Sequence, residues 1–347
     1  MTDDKGAART ARGGRRVFLD VRWSAALLFT SLILSVRHSA AQESLPLSTT
    51  CFDLNRNVVS QVENGRLGEA EITMSAALKK DPEPLCEGVL LTNLAALVAI
   101  QGRHAEAEGL AERSLRILEK YFMPEDPILL KSLQILTAAR FQQGKTAKAR
   151  EAFQRMKMVQ IQRPQDAALV HGVAAALLEA EGRRSEAESE YLAALRAWAD
   201  SGREDTVDAG TILSGLASFY VYGNRLDDAR RVLNRALAIF ERAKDTVPMD
   251  RIKLLGIQAG LNARLGEWRK AEEYLREAVA IADSEPRIAL SDNVVLLASY
   301  ARVLRKNRNG REAHSIEVRL AALRRRNAAE AVVDVTELLP KPKPSKR

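Results

Sequence analysis

The chain is predicted to be all-α, a right-handed solenoid of about seven stacked helix-turn-helix hairpins, and three observations predict it. A short signature recurs seven times: "GRLGEAE" from Gly65, "GRHAEAE" from Gly102, "GKTAKAR" from Gly144, "GRRSEAE" from Gly182, "NRLDDAR" from Asn224, "GEWRKAE" from Gly266 and a worn "RNGREAH" from Arg308. Aligned on their alanines, Ala70, Ala107, Ala149, Ala187, Ala229, Ala271 and Ala313, the copies are spaced by 37, 42, 38, 42, 42 and 42 residues. Proline-bearing turns such as "KKDPEPL", "FMPEDPI", "DTVPMDR" and "DSEPRIA" separate them. A fixed period of this length marks an array whose units bury their faces against one another.

The amino end reads as an address. Arg9, Arg12, Arg15, Arg16 and Arg22 precede the apolar run Trp23 to Val36, and Ser39 and Ala41 stand at −3 and −1 of a cut before Gln42. Fourteen apolar residues fall short of the ~20 that span a bilayer, so residues 1–41 are expected to be a secretory signal peptide. That places the mature chain in the periplasm or outside the cell, with an uncleaved anchor as the alternative. "RRVFL" from Arg15 also resembles a twin-arginine export signal, although Asp20 stands where that signal favours a base. Residues 42–50 are expected to be a short linker.

Within each copy, two helices are expected either side of the signature glycine. Twelve residues before the register alanines stand mostly small residues, Val58, Ala95, Thr137, Ala175, Ala217, Ala259 and Ala301, and seven after them Ala77, Ser114, Met156, Ala194, Ala236, Ala278 and Leu320. Matched small side chains let two helix axes approach closely. Leu226, Ala229, Val232, Leu233, Ala236, Leu237 and Phe240 fall on one face at steps of three and four, a helical period. The glycine would turn the corner in the left-handed region. Counting nineteen residues back from each alanine starts the repeats near 51, 88, 130, 168, 210, 252 and 294, and the array ends near 323. Residues 324–347 are basic and rich in Pro and Lys, which predicts disorder.

The pattern resembles the tetratricopeptide repeat, and its 42-residue period resembles the longer variant found in kinesin light chains. "TNLAALVAIQGRHAEAEGLAERSLRILEKYFMPEDP", Thr92 to Pro127, carries the likeness best, with a helix A asparagine, small-residue positions, turn glycine and terminal acidic-X-Pro. Copies one and seven depart from it and look like caps. A HEAT-like or armadillo-like solenoid of similar period is the competing fold, but it lacks the glycine-to-alanine signature.

Composition and motifs narrow the function. The net charge is +8, but residues 1–41 and 324–347 carry +4 each, leaving thirty-nine bases and thirty-nine acids between them. A neutral array with 5% aromatics argues against nucleic acid. No phosphate loop, nucleophile elbow or dinucleotide fingerprint is present, and the four histidines form no helical ligand pair, so neither a catalytic nor a metal site nor a cofactor is expected. Cys51 and Cys86 fall at the same end of adjacent A helices, which makes them candidates for a disulfide if those ends bring the Cα atoms within about 7 Å.

What remains is binding. The resemblance places inward-facing positions along helix A, giving a candidate groove of Asn93, Ala96, Lys131, Gln134, Ala138, Ala176, Ser214, Ser218, Tyr222, Arg264 and Arg302. It also implies that Asn93 bonds a ligand backbone. The small residues leave room for a partner, or alternatively permit tight helix packing. The expected function is a non-catalytic scaffold holding a peptide or helix of a protein partner, the other reading being a subunit packed permanently into an envelope complex or homo-oligomer. Membrane contact is expected only through an uncleaved leader.

Overall fold

The computed structural model describes residues 48–63, 66–243, 248–284 and 290–330. The expected leader, most of the expected linker, Gly65 and the tail beyond 330 lie outside the described residues. Among the described residues, fourteen α-helices follow one another as seven hairpins. They are α1 (Thr49–Glu63) with α2 (Leu67–Leu78), α3 (Pro84–Ile100) with α4 (His104–Leu118), α5 (Leu130–Gln142) with α6 (Thr146–Met158), and α7 (Pro164–Ala180) with α8 (Arg184–Asp200). Next come α9 (Val207–Tyr222) with α10 (Leu226–Arg242), α11 (Pro248–Arg264) with α12 (Trp268–Ser284), and α13 (Leu290–Lys306) with α14 (Gly310–Glu330). Odd-numbered helices are the A layer, even-numbered the B layer. A single 3-10 turn, Pro127–Leu129, leads into α5.

The hairpin corner is the same motif six times over. After α3, Arg103 N–H donates to Val98 O and Gly102 N–H to Ala99 O, the paired bonds that close a helix end when its next residue is left-handed. Gly102, Gly144, Gly182 and Gly266 have φ between 75° and 81°, where L side chains are strained. In the remaining two corners Asn224 (φ 60°) and Arg308 (φ 61°) take that conformation without being glycine. Asparagine tolerates it; arginine does so at a cost.

The register alanines are the points of closest approach. Ala70, Ala107, Ala149, Ala187, Ala229, Ala271 and Ala313 are all fully buried, as are Ala95, Ala175 and Ala217 across from them. Enlarging one of them would force the two axes apart, at about 1–3 kcal/mol. The same tightness shows at Gly88, where an added Cβ would lie 2.8 Å from Leu118 Cδ2. In α10 the stripe Ala229, Leu233, Ala236 and Phe240 is buried, with Asp227 and Asp228 in the first turn and Arg242 in the last, each at the helix end whose dipole favours it. The apolar core runs unbroken from Cys51 to Leu261, and a second cluster, Ile252 to Leu320, shares α11 with it.

Two boundaries differ from expectation. The A helices begin earlier than the counted starts, at 49, 84, 164, 207, 248 and 290. Pro84, Pro164 and Pro248 occupy the first turn, where a missing N–H costs nothing, so proline opens the helix instead of preceding it. The seventh B helix continues through Glu330, so residues 324–330, expected to be disordered, are helical. Cys51 and Cys86 are joined in a disulfide with Cα atoms 5.9 Å apart, both buried.

Candidate functional site: the inner wall of A helices

The sequence-derived groove residues fall into three groups. Ala96, Gln134, Ala138, Ala176 and Ser218 are buried, none exposed beyond 4%. Of the two readings of the small residues, an open floor is not what the structure holds: in this conformation no partner touches them. Lys131, Ser214, Tyr222 and Arg264 are half-buried, and Arg302 is exposed.

Asn93 requires a second correction. Its side chain is buried, and its Nδ2 donates to Asn55 Oδ1 on α1 at 2.6 Å. The amide that the resemblance assigns to a ligand backbone already ties the first hairpin to the second. Beside it, Thr92, Ser114 and Ser132 join three helices through hydroxyl contacts of 2.7, 2.7 and 3.2 Å, with Thr92 and Ser114 also donating to Gly88 O. Gln134 is different: fully buried, its Oε1 and Nε2 have no hydrogen-bond partner.

The structure also brings forward residues that the sequence reading missed. Lys253 stands one step after the start of its repeat, as Lys131 does, and is buried 3.9 Å from the equally buried Asp250. Asp166, Asp208 and Asp250 occupy one register position, two residues before the counted repeat starts and in the first turn of α7, α9 and α11. That spacing was visible in the sequence as "QDAA", "VDAG" and "MDRI". Burial pushes the Lys131 ammonium down to about 8, against the opposing field of Asp208 on α9. A charge on α9 therefore reaches α5 although α7 lies between them in the chain. Asp166 accepts two bonds of 2.8 Å from Arg163. Thr211, Ser214, Gly215, Phe240, Asp250, Lys253 and Ile257 line a small hollow where α9 and α11 meet.

Two histidines have structural settings. His104 begins α4; its Nδ1 is buried without a partner, and burial depresses its pKa to about 4, so the ring is neutral at pH 7. His171 Nδ1 lies 2.6 Å from Glu190 within one hairpin. Among the described residues no group of three His, Cys, Asp or Glu is placed to hold a metal ion, and no helix is long and apolar enough to cross a membrane.

A family model for the tetratricopeptide repeat matches residues 87–156, the second copy and most of the third. The chain carries tetratricopeptide repeats. No curated protein matches it. Among solved structures, a Rap protein complexed with Competence and Sporulation Factor is 13% identical with a TM-score of 0.59, over 89% of this chain and 99% of that one. The apo form of RapI is 11% identical with a TM-score of 0.57, over 81% and 99%. A tetratricopeptide repeat protein from Parabacteroides merdae is 18% identical with a TM-score of 0.48, over 80% and 94%. At such identities the first two likenesses speak for the fold, and the repeat reading of the helical hairpins stands.

Proposed function

We propose that this chain is an exported, non-catalytic scaffold whose A-helix wall receives a peptide or helical segment of a protein partner. The observation that carries the reading is the run of half-buried polar side chains along that wall, Lys131, Ser214, Tyr222 and Arg264, from the third repeat to the sixth. The partner meets these longer side chains, while the small residues keep the helices close. The B helices, by contrast, present charged faces whose desolvation opposes association. A similar fold solved with Competence and Sporulation Factor supports binding as a use of such an array. The buried Cys51–Cys86 bond supports export, since disulfides persist in oxidising compartments.

The test begins with capture of partners by residues 42–347 from the native host, followed by calorimetry. Lys131→Ala and Arg264→Ala should each weaken the captured partner about tenfold, the order expected when a charged hydrogen bond is lost. Arg235→Glu on the exposed face of α10 should leave affinity unchanged. Binding lost by the α10 reversal and kept by the wall variants would reject the wall. Sequencing the amino terminus of exported material should find a start near Gln42; an intact terminus would replace the cleaved leader with an anchor. One observation favours a packed assembly subunit instead, namely the apolar side chains exposed along one edge of the array.

A further inference from the structure

Tyr121 (53% exposed), Met123 (71%), Met158 (63%) and Ile161 (40%) are large apolar side chains left in water. They lie in the connections that follow α4 and α6, or at the end of α6 itself. Those connections are neighbours: Gln160 N–H donates to Glu125 O at 2.7 Å, and Arg155 pairs with Glu119 at the ends of the same two helices. The four side chains therefore form one patch on the edge where B helices hand over to the next repeat. Scattered exposed apolar residues need no explanation, but four gathered on two adjoining loops do.

The charges around them specify the partner. Lys120 and Lys157 are exposed beside the patch, and at the matching end of α2 stand Lys79 and Lys80, also exposed. The acids there are partly engaged: Glu119 is held by Arg155, Asp126 accepts from Ile128 N–H, and Glu83 accepts from Ser48 N–H. Asp81 and Glu125 complete the set. Lysines at the carboxyl ends of helices are favoured by the helix dipole alone, so they are not evidence by themselves. That dipole, however, gives no reason to expose tyrosine, methionine and isoleucine between them. Apolar tips flanked by flexible lysines are the chemistry of a surface that dips into lipid headgroups: the tips lose contact with water, and the ammonium groups stay level with the phosphates.

We propose that this edge of repeats two and three is a contact surface for an anionic lipid bilayer, inserting Tyr121, Met123, Met158 and Ile161 between headgroups that Lys120 and Lys157 attract. This contact is separate from the leader and from the A-helix wall, and does not depend on either.

Sedimentation of residues 42–347 with vesicles tests it. Vesicles containing phosphatidylglycerol should carry the protein down at low salt, and pure phosphatidylcholine vesicles should not. Lys120→Glu with Lys157→Glu should lower the partition at least about fivefold for each lysine. Met123→Asp with Ile161→Asp should abolish it, while Ile72→Asp, an equally exposed residue on α2, should not change it. Because every altered side chain is exposed, circular dichroism should be the same for all variants. Equal partition to both vesicle types, or equal partition of the variants, overturns the proposal. So does a dimer in sedimentation equilibrium that the Met123/Ile161 variant dissociates, because the patch would then serve a second copy of the chain.

Discussion

At the amino end of the array Cys51 is bonded to Cys86 and Asn55 to Asn93, all four buried. At the carboxyl end α14 is tied to α13 by Arg305 and Glu317 and to α12 by Arg319 and Asp283, with every one of these side chains at least 39% exposed. Both ends have a neighbour on one side only. The first is held by a covalent bond and hydrogen bonds that water does not reach, the last by charges in full contact with salt and solvent. The carboxyl cap also turns its corner on Arg308, a residue ill-suited to φ 61°. Equal position in the repeat thus does not mean equal stability, and in an array where each unit leans on the next, fraying should start at the last hairpin.

The largest expected effect removes the covalent tie. Cys51→Ala closes off a cross-link spanning 35 residues, and should cost about 3–4 kcal/mol. Hydrogen exchange should show α1 and α2 losing protection before any other pair; uniform loss would mean that the bond does not set the order of opening.

Next comes acid. His104 is neutral in the fold with a pKa depressed to about 4 from 6.5, so its contribution is whole above about 6.5 and is lost as pH falls toward 4. Denaturant titrations at pH 7 and 4.5 should show the parent losing on the order of 2–3 kcal/mol more than His104→Gln. A parallel loss in both would show that protonation elsewhere governs acid unfolding.

Asn93→Ala strands a buried Asn55 carbonyl and should cost about 1–3 kcal/mol of stability. The double variant with Asn55→Ala should cost less than the two singles together; strict additivity would deny the bond between them.

A smaller gain is expected at the other end. Arg308→Gly relieves a left-handed arginine, and should stabilise the last hairpin by about 1 kcal/mol, read as a higher melting temperature. Smallest of all, raising salt to 1 M should increase exchange in α14 while leaving α1 unchanged, since exposed pairs are screened and buried ones are not.

Much of this was legible in the residues themselves. Seven register alanines, six visible corners and the sites where prolines interrupt the pattern follow from helical period and the conformational demands of one left-handed residue, which are local properties. The wall was less legible. Alanine at the ninth position of helix A satisfies both a floor that meets a partner and a contact between helices, and only the burial of Ala96, Ala138 and Ala176 separates the two. Asn93 illustrates the same limit: its amide chemistry is plain in the sequence, but its partner is 38 residues away on α1. The repeated first-turn aspartates and Lys253 were legible and overlooked, because the register was followed for small residues and not for charges.

By itself the sequence determined that this chain is a stack of helical hairpins, since periodicity, turn residues and spacing act over a few residues at a time. Which side chains the stack leaves available was decided by tertiary structure alone. The burial of Gln134, the field of Asp208 at Lys131 and the meeting of Tyr121 and Met123 with Met158 and Ile161 each depend on how one repeat is set against another, and that angle is fixed by packing between elements far apart in the chain.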